Sequence, residues 1–206
     1  MLFLTFFLGI IFNAIGYIPP GNINLTVVQI TITRGLKQAY AFIIAFSAVE
    51  VLFTFAIMRF VRWLESEFKF GEVIDLFMIL MFTVMGILTW RSRKEMPKAD
   101  YSNKDSIKYG ALLGVLNPMQ IPFWLFAGAY LISHEWIETN YLSLTIFSIG
   151  SGLGAAITLY GFAHFAQYIQ AKFELSSYIV SKSIAFLFFA LSAYHIGKLI
   201  YIHFLK

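Results

Sequence analysis

Pro19-Pro20-Gly21-Asn22-Ile23-Asn24 and Asn117-Pro118-Met119-Gln120-Ile121-Pro122 are two proline-centred interruptions, each inside an apolar run otherwise long enough to span a bilayer. Proline lacks an N–H and clashes with the turn before it, so each stretch ends one helix and begins another. Hydrocarbon offers no water to the freed N–H and C=O groups, so such breaks persist only where protein or a wet cavity satisfies them. Interrupted membrane helices at corresponding places in two halves of a chain point to a transport site.

Composition agrees with a membrane setting. Of 206 residues, 59% are hydrophobic and 13% charged, and the mean hydropathy is +0.75, values foreign to a soluble globule. The length accommodates about six helices of roughly 20 residues with short connections. The stretch Leu2 to Ile18 has no basic leader and no small-residue cleavage pattern, and it runs directly into the first break; it reads as a retained first helix. The absence of cysteine excludes disulfide chemistry, thiol relays and iron–sulfur ligation.

Hydropathy predicts spans near 2–33 (broken at 19–22), 38–60, 73–90, 109–132, 141–163 and 180–203. The charge-rich stretch with Arg91, Arg93, Lys94, Lys98, Lys104 and Lys108 separates two sets of three. The expected organisation is one transmembrane domain over 1–206, with repeat 1 at 1–92, a basic linker at 93–108 and repeat 2 at 109–206. Pro20 and Pro118 are 98 positions apart, close to half the chain. Because each half has an odd number of spans, the second is inverted relative to the first. The predicted fold class is therefore an all-α integral membrane protein: six transmembrane helices as two inverted three-helix repeats, with helices 1 and 4 broken.

With the N-terminus outside, the inner connections hold Arg34, Lys37, the six linker residues, Lys172 and Lys182, which is ten of the 15 basic residues. The positive-inside rule thus places both termini outside. Six charges beside a membrane read as this orientation signal rather than as a nucleic-acid patch.

Under this topology both breaks fall roughly 15 to 21 Å from the inner ends of their spans, near mid-membrane. The half-helices that resume there run in opposite directions, so their N-termini, with unpaired N–H groups and partial positive charge, meet as a site for a carboxylate or other anion. Asn117 suits the N-cap of the second restart, Pro118 its first position, and Gln120 the reciprocal arm of a capping box. Pro122 leaves the Pro118 carbonyl free. Pro20, Gly21, Asn22, Asn24, Asn117, Pro118 and Gln120 are the expected substrate-binding residues. The alternative is a pair of kinks that aid packing.

Glu50 is an acidic residue deep in an apolar span, 13 positions beyond Lys37. An ionised carboxylate there costs on the order of a few kcal/mol, so it should face the bundle interior and exchange protons. Its expected role is proton coupling; the alternative is a permanently protonated residue that bonds a neighbouring helix. His164 and His195 receive no role, because a lone membrane histidine more often bonds another helix. Four scattered histidines make no metal site. Gly150, Gly152 and Gly154 indicate close helix packing, with the fifth span against the second. Trp63, Trp90 and Trp136 read as interfacial anchors.

Pro20-Gly21-Asn22 after an apolar helix, then Leu25, Thr26, Arg34-Gly35, an acidic residue in the second span, and Gly114-Val115-Leu116-Asn117-Pro118 in the second half, resemble the lysine exporter (LysE/RhtB) family of amino-acid translocators over essentially the whole chain. The resemblance implies a multi-pass carrier in the bacterial inner membrane that exports amino acids or related small metabolites, by proton exchange and with no cofactor. The family's Pro-Gly-Pro, aspartate and Asn-Pro-Lys stand here as Pro20-Gly21-Asn22, Glu50 and Met119, so lysine is not carried over as the substrate. Expected partners are an amino-acid substrate, protons and lipid, with no nucleic acid; a homo-oligomer is compatible with the sequence. The alternatives are an inorganic-ion or metal exporter of the same superfamily and a non-transport scaffold. An enzyme is disfavoured, since no nucleophile–base pair is recognisable.

Overall fold

The computed structural model describes residues 2–18, 21–67, 72–91, 105–117 and 119–204. Pro20, Pro118, the basic linker from 93 to 104, Lys69 and Lys206 lie outside the described residues. Every regular element among those described is an α-helix: α1 (Leu2–Tyr17), α2 (Asn22–Arg34), α3 (Leu36–Glu67), α4 (Glu72–Arg91), α5 (Ser106–Val115), α6 (Gln120–Ser133), α7 (Tyr141–His164) and α8 (Ala166–Phe204).

The two proline-centred stretches do break helices. α1 and α2 are bent by 78°, and α5 and α6 by 58°. Leu36–Leu64, Tyr141–His164 and Ala185–Ile202 are each long and apolar enough to cross a membrane, and each bent pair adds one further candidate, up to five in all. Met78–Arg91 is apolar but shorter. The last helix begins at Ala166 rather than near 180, because no glycine or proline interrupts the chain between there and Gly197. Between α2 and α3 a single residue, Gly35, turns the chain at φ 83°, and its N–H bonds the Thr31 carbonyl; that left-handed conformation favours glycine.

The polarity of the fold is the reverse of a soluble bundle. On α3, Ile44 and Leu52 are 70% and 71% exposed while Ser47, Glu50 and Thr54 are buried. Thr5, Asn13, Asn24, Gln120, Ser143, Ser148 and Ser151 are likewise inside. Lipid rewards this arrangement, since aliphatic side chains can face the tails and polar groups must find protein partners.

The chain divides into two compact units, Met1–Arg62 with Glu95–Phe173, and Trp63–Lys94 with Glu174–Lys206. In the first, Ile23, Val27 and Ile30 of α2, Phe42, Ile43 and Phe46 of α3, and Ala155, Leu159 and Ala163 of α7 form the apolar core. α1 lies directly on α7. A Cβ at Gly9 would overlap the Phe147 carbonyl, one at Gly150 the Phe6 carbonyl, and one at Gly154 the Ile10 carbonyl. Gly152 faces Ser47 and Val51 of α3. The glycine stretch thus meets the second span, as its sequence implied, and also the first. One end of this unit joins Arg34 to Ser106 Oγ (3.1 Å), which donates to Gln38. At the other end Arg62 donates to the Thr139 carbonyl (2.6 Å) and Arg59 to the Tyr141 hydroxyl (2.9 Å).

In the second unit α4 and α8 are tied by polar contacts. The buried Asp75 carboxylate accepts from His195 Nδ1 at 2.7 Å and from Lys198 Nζ at 2.9 Å. Because a carboxylate only accepts, His195 carries its hydrogen on Nδ1. Further along, the Thr83 and Ser192 hydroxyls pair at 2.9 Å, and Lys182 donates to the Trp90 carbonyl at 2.9 Å.

Two stability outcomes follow from these contacts. Gly154→Val forces a side chain into the Ile10 backbone and should cost about 1–3 kcal/mol or more, whereas Gly161→Ala, where a Cβ meets nothing within 4 Å, should be neutral or stabilise by up to ~1 kcal/mol. Thermal unfolding in detergent compares them, and equal melting temperatures would remove the glycine seam from the account. Asp75→Leu, which strips His195 and Lys198 of their acceptor, should destabilise by roughly 3 kcal/mol, and Asp75→Asn by less. Unchanged stability of Asp75→Leu in the same measurement would show that the cluster does not pin α4 to α8.

Candidate functional site

The site is built around Glu50, which is 1% exposed. Its Oε1 accepts from Asn13 Nδ2 at 3.0 Å and from Trp124 Nε1 at 3.3 Å. Its Oε2 accepts from the Tyr17 hydroxyl at 3.0 Å and from Gln120 Nε2. A carboxylate offers about four acceptor positions, and here all are taken. No lysine, arginine or histidine among the described residues pairs with it, so neutral dipoles alone hold the group.

Helix geometry explains how four donors reach one carboxylate. Asn13 and Tyr17 are four residues apart on α1, and Gln120 and Trp124 are four apart on α6, so each pair shares a face. α1 supplies its last turn before the first break; α6 supplies its first turn after the second. Ring contacts fix the aromatic members, Tyr17 edge-on to Phe46 at 5.7 Å and Trp124 edge-on to Phe147 at 5.4 Å. Asn13 Nδ2 also donates to the Ser151 carbonyl at 2.8 Å, and the Ser151 hydroxyl pairs with Thr54 at 2.9 Å. α7 and the next turn of α3 thereby join the cluster.

Tyr17 links both breaks. Its backbone carbonyl accepts from Asn24 Nδ2 of α2, and its hydroxyl accepts from Asn117 Nδ2 at 3.2 Å. Of the residues singled out from sequence, Asn24, Glu50, Asn117 and Gln120 therefore fall in one hydrogen-bonded network. Gly21 and Asn22 stand at the start of α2, and Pro20 and Pro118 lie outside the described residues.

Helix capping at the second break differs from expectation. Gln120 does not reach back as in a capping box; its amide is committed to Glu50. Met119 is the capping residue and makes no side-chain cap bond, while Asn117 Oδ1 accepts from the Met119 N–H at 3.3 Å. Gly21 at the start of α2 likewise supplies no side-chain cap. By contrast Asp105 caps α5 and Asn140 caps α7 with their side chains. The two helices that begin at the breaks have no side-chain cap on their first N–H groups, which leaves a partial positive charge there.

Sequence reasoning missed Asn13, Tyr17, Trp124 and Ser151. A signal existed for the first two, because Asn13 is a lone amide in an apolar helix and Tyr17 follows it at helical spacing. Asp75 was missed as well, and His195, given no role, is its partner. His164 stacks with Tyr40 and packs at a tilt against Tyr160 at the exposed side of α3 and α7.

Comparison with known proteins returns no matching curated protein and no matching solved structure. The family model described as LysE type translocator matches residues 14–197, a span that contains both breaks and Glu50. The chain belongs to the LysE type translocator family.

Proposed function

We propose that the protein is a secondary active exporter of amino acids or related small metabolites across the bacterial inner membrane, driven by proton entry through alternating access. The observation that carries this reading is the convergence of both helix breaks on Glu50 through Tyr17 and Gln120. Transport sites of this kind form where helix N-termini face an anionic group and a titratable residue lies within reach.

In the proposed cycle the uncapped starts of α2 and α6 receive the substrate carboxylate. Pro20, Gly21, Asn22 and Asn24 on one side, and Asn117, Pro118 and Gln120 on the other, form the two halves of the site. Glu50 takes a proton from outside, releases it inside, and biases which way the site opens. The inverted-repeat reading is supported by how the two halves divide: α1, α2 and most of α3 from the first, and α5, α6 and α7 from the second, fall in one compact unit, while α4 and most of α8 fall in the other. Termini outside follow from the basic residues between repeats.

The test is efflux of a panel of amino acids from preloaded vesicles that carry the protein, with and without an imposed pH gradient. Wild type should show gradient-driven efflux, and Glu50→Gln should fall to the rate seen without a gradient while still exchanging substrate across the membrane. A Glu50→Gln variant that responds to the gradient like wild type would remove the proton role and leave the exporter. Failure of every amino acid in both proteins would overturn the substrate class and make inorganic ions the next candidates.

A further inference from the structure

With its four donors in place, Glu50 has no position for a proton. Protonation turns one oxygen into a hydroxyl, which must donate as well as accept. Each neighbour can be asked whether it could receive that hydrogen. Trp124 Nε1 is a donor only. Asn13 could offer its own carbonyl only by turning its NH2 away from the Ser151 backbone carbonyl, which can do nothing but accept. Oε1 is therefore committed to accepting, and the proton belongs on Oε2.

Oε2 faces Tyr17 and Gln120. The Tyr17 hydroxyl already accepts from Asn117 and, if it reversed, would need a new acceptor for its own hydrogen. Gln120 has a spare group. Its Oε1 is fully buried and has no hydrogen-bond partner among the described residues, and the residue as a whole is only 3% exposed. A half-turn of the amide places this acceptor where the Nε2 donor now sits.

We infer that Gln120 is a positioning residue that registers the charge on Glu50 by turning its side-chain amide over. This inference rests on the proposed proton role of Glu50. With Glu50 ionised, Gln120 Nε2–H donates to Oε2. When one proton binds Oε2, the new O–H donates to Gln120 Oε1, and the N–H bond is exchanged for an O–H···O bond with no covalent change in Gln120. Tyr17 on α1 is the other titratable side chain bonded to Glu50. α6 presents Gln120 and Trp124, α7 presents Ser151 through Asn13, and α3 itself adds Thr54 through Ser151. No Lys, Arg, His or Asp among the described residues bonds to this cluster.

The position of Gln120 gives the turn a route to the substrate site. It is the first residue of α6, and its backbone N–H bonds the Asn117 carbonyl across the second break. Two discrete amide orientations at that point supply a bistable element of the sort a coupled carrier requires.

Infrared difference spectra between high and low pH, taken on the protein in lipid vesicles with 13C-labelled glutamine, test this. Acidification should produce a protonated-carboxyl C=O band that Glu50→Gln abolishes. With the same midpoint, a labelled glutamine carbonyl should shift to lower frequency, and this shift should be absent from Glu50→Gln. Gln120→Met should remove the glutamine shift and move the Glu50 band to higher frequency, because the acid has lost its acceptor. A Glu50-dependent carboxyl band with no change in the labelled glutamines of the unmutated protein overturns the role of Gln120 and leaves Glu50 as the proton site; this arm needs no Gln120 variant to fold. Absence of any Glu50-dependent band overturns both.

Discussion

A carboxylate removed from water must have its charge dispersed by protein groups, and in lipid no solvent can stand in for a missing one. Glu50 meets this requirement with four neutral donors, and the arrangement of the surrounding unit can be read from that need. α1 must end at Tyr17 and α6 must begin at Gln120 for the donors to converge. α7 must come close enough for Ser151 to hold Asn13 in place. The glycines at 9, 150 and 154 permit that approach, since a Cβ at any of them would overlap backbone of the opposite helix. Removing bulk at the seam and placing polar groups at the centre are therefore parts of one solution, the small-residue packing common among membrane helices.

The parts of this structure visible in the sequence are those whose cause is local. Proline and glycine act on their own backbone, so the breaks near 20 and 118 were readable without any knowledge of neighbours. A charge in an apolar run is equally conspicuous, which is why Glu50 stood out. Its partners did not, because an asparagine, a tyrosine and a tryptophan in three different turns acquire meaning only when α1, α3 and α6 are brought together. Gln120 shows the same limit from another side. Three positions past Asn117 it matches a capping box, in which its Oε1 would accept the cap residue's N–H, yet its Nε2 donates to the buried Glu50 carboxylate instead, and tertiary demand prevailed over the local pattern. Asp75 was overlooked because it lies only three residues into α4, where an acidic residue reads as an ordinary helix-end charge; its burial depends on Lys198 and His195, more than 100 positions away. The early start of α8 reflects the opposite error. A polar stretch was read as a connection although nothing in it breaks a helix.

Family membership and geometry contribute different things to the functional reading. The match over residues 14–197 makes the chain a LysE type translocator, and it does so without reference to any one side chain. The hydrogen-bond network identifies which groups could sense a substrate or a proton, and it does so without reference to any relative. The two accounts meet at the breaks. The helix starts at Gly21 and Met119 carry no side-chain cap, unlike those of α5 and α7, and under the proposed function their N–H groups would face the substrate carboxylate.

The two oxygens of Glu50 face different kinds of structure. On the Oε1 side, Asn13 sits one turn inside α1 on the glycine seam with α7, and Trp124 sits one turn inside α6 with its ring against Phe147. Both belong to backbone locked by intrahelical hydrogen bonds and by close packing. On the Oε2 side, Tyr17 is the last residue of α1 and Gln120 the first of α6, each beside a break where the helical ladder is interrupted. A change of charge that alters hydrogen bonding at Oε1 would have to move packed helices, whereas the same change at Oε2 acts on two helix ends that already lack part of their backbone bonding. In the proposed cycle the proton would have most leverage on the side where the chain resists least, and that side is also the one that touches Asn24 and Asn117. Coupling between a titratable group and a substrate site requires a group held firmly enough to be sensed and a neighbour free enough to respond. Under the proposed function Glu50, anchored through one oxygen and facing the breaks through the other, would meet both conditions within a single side chain.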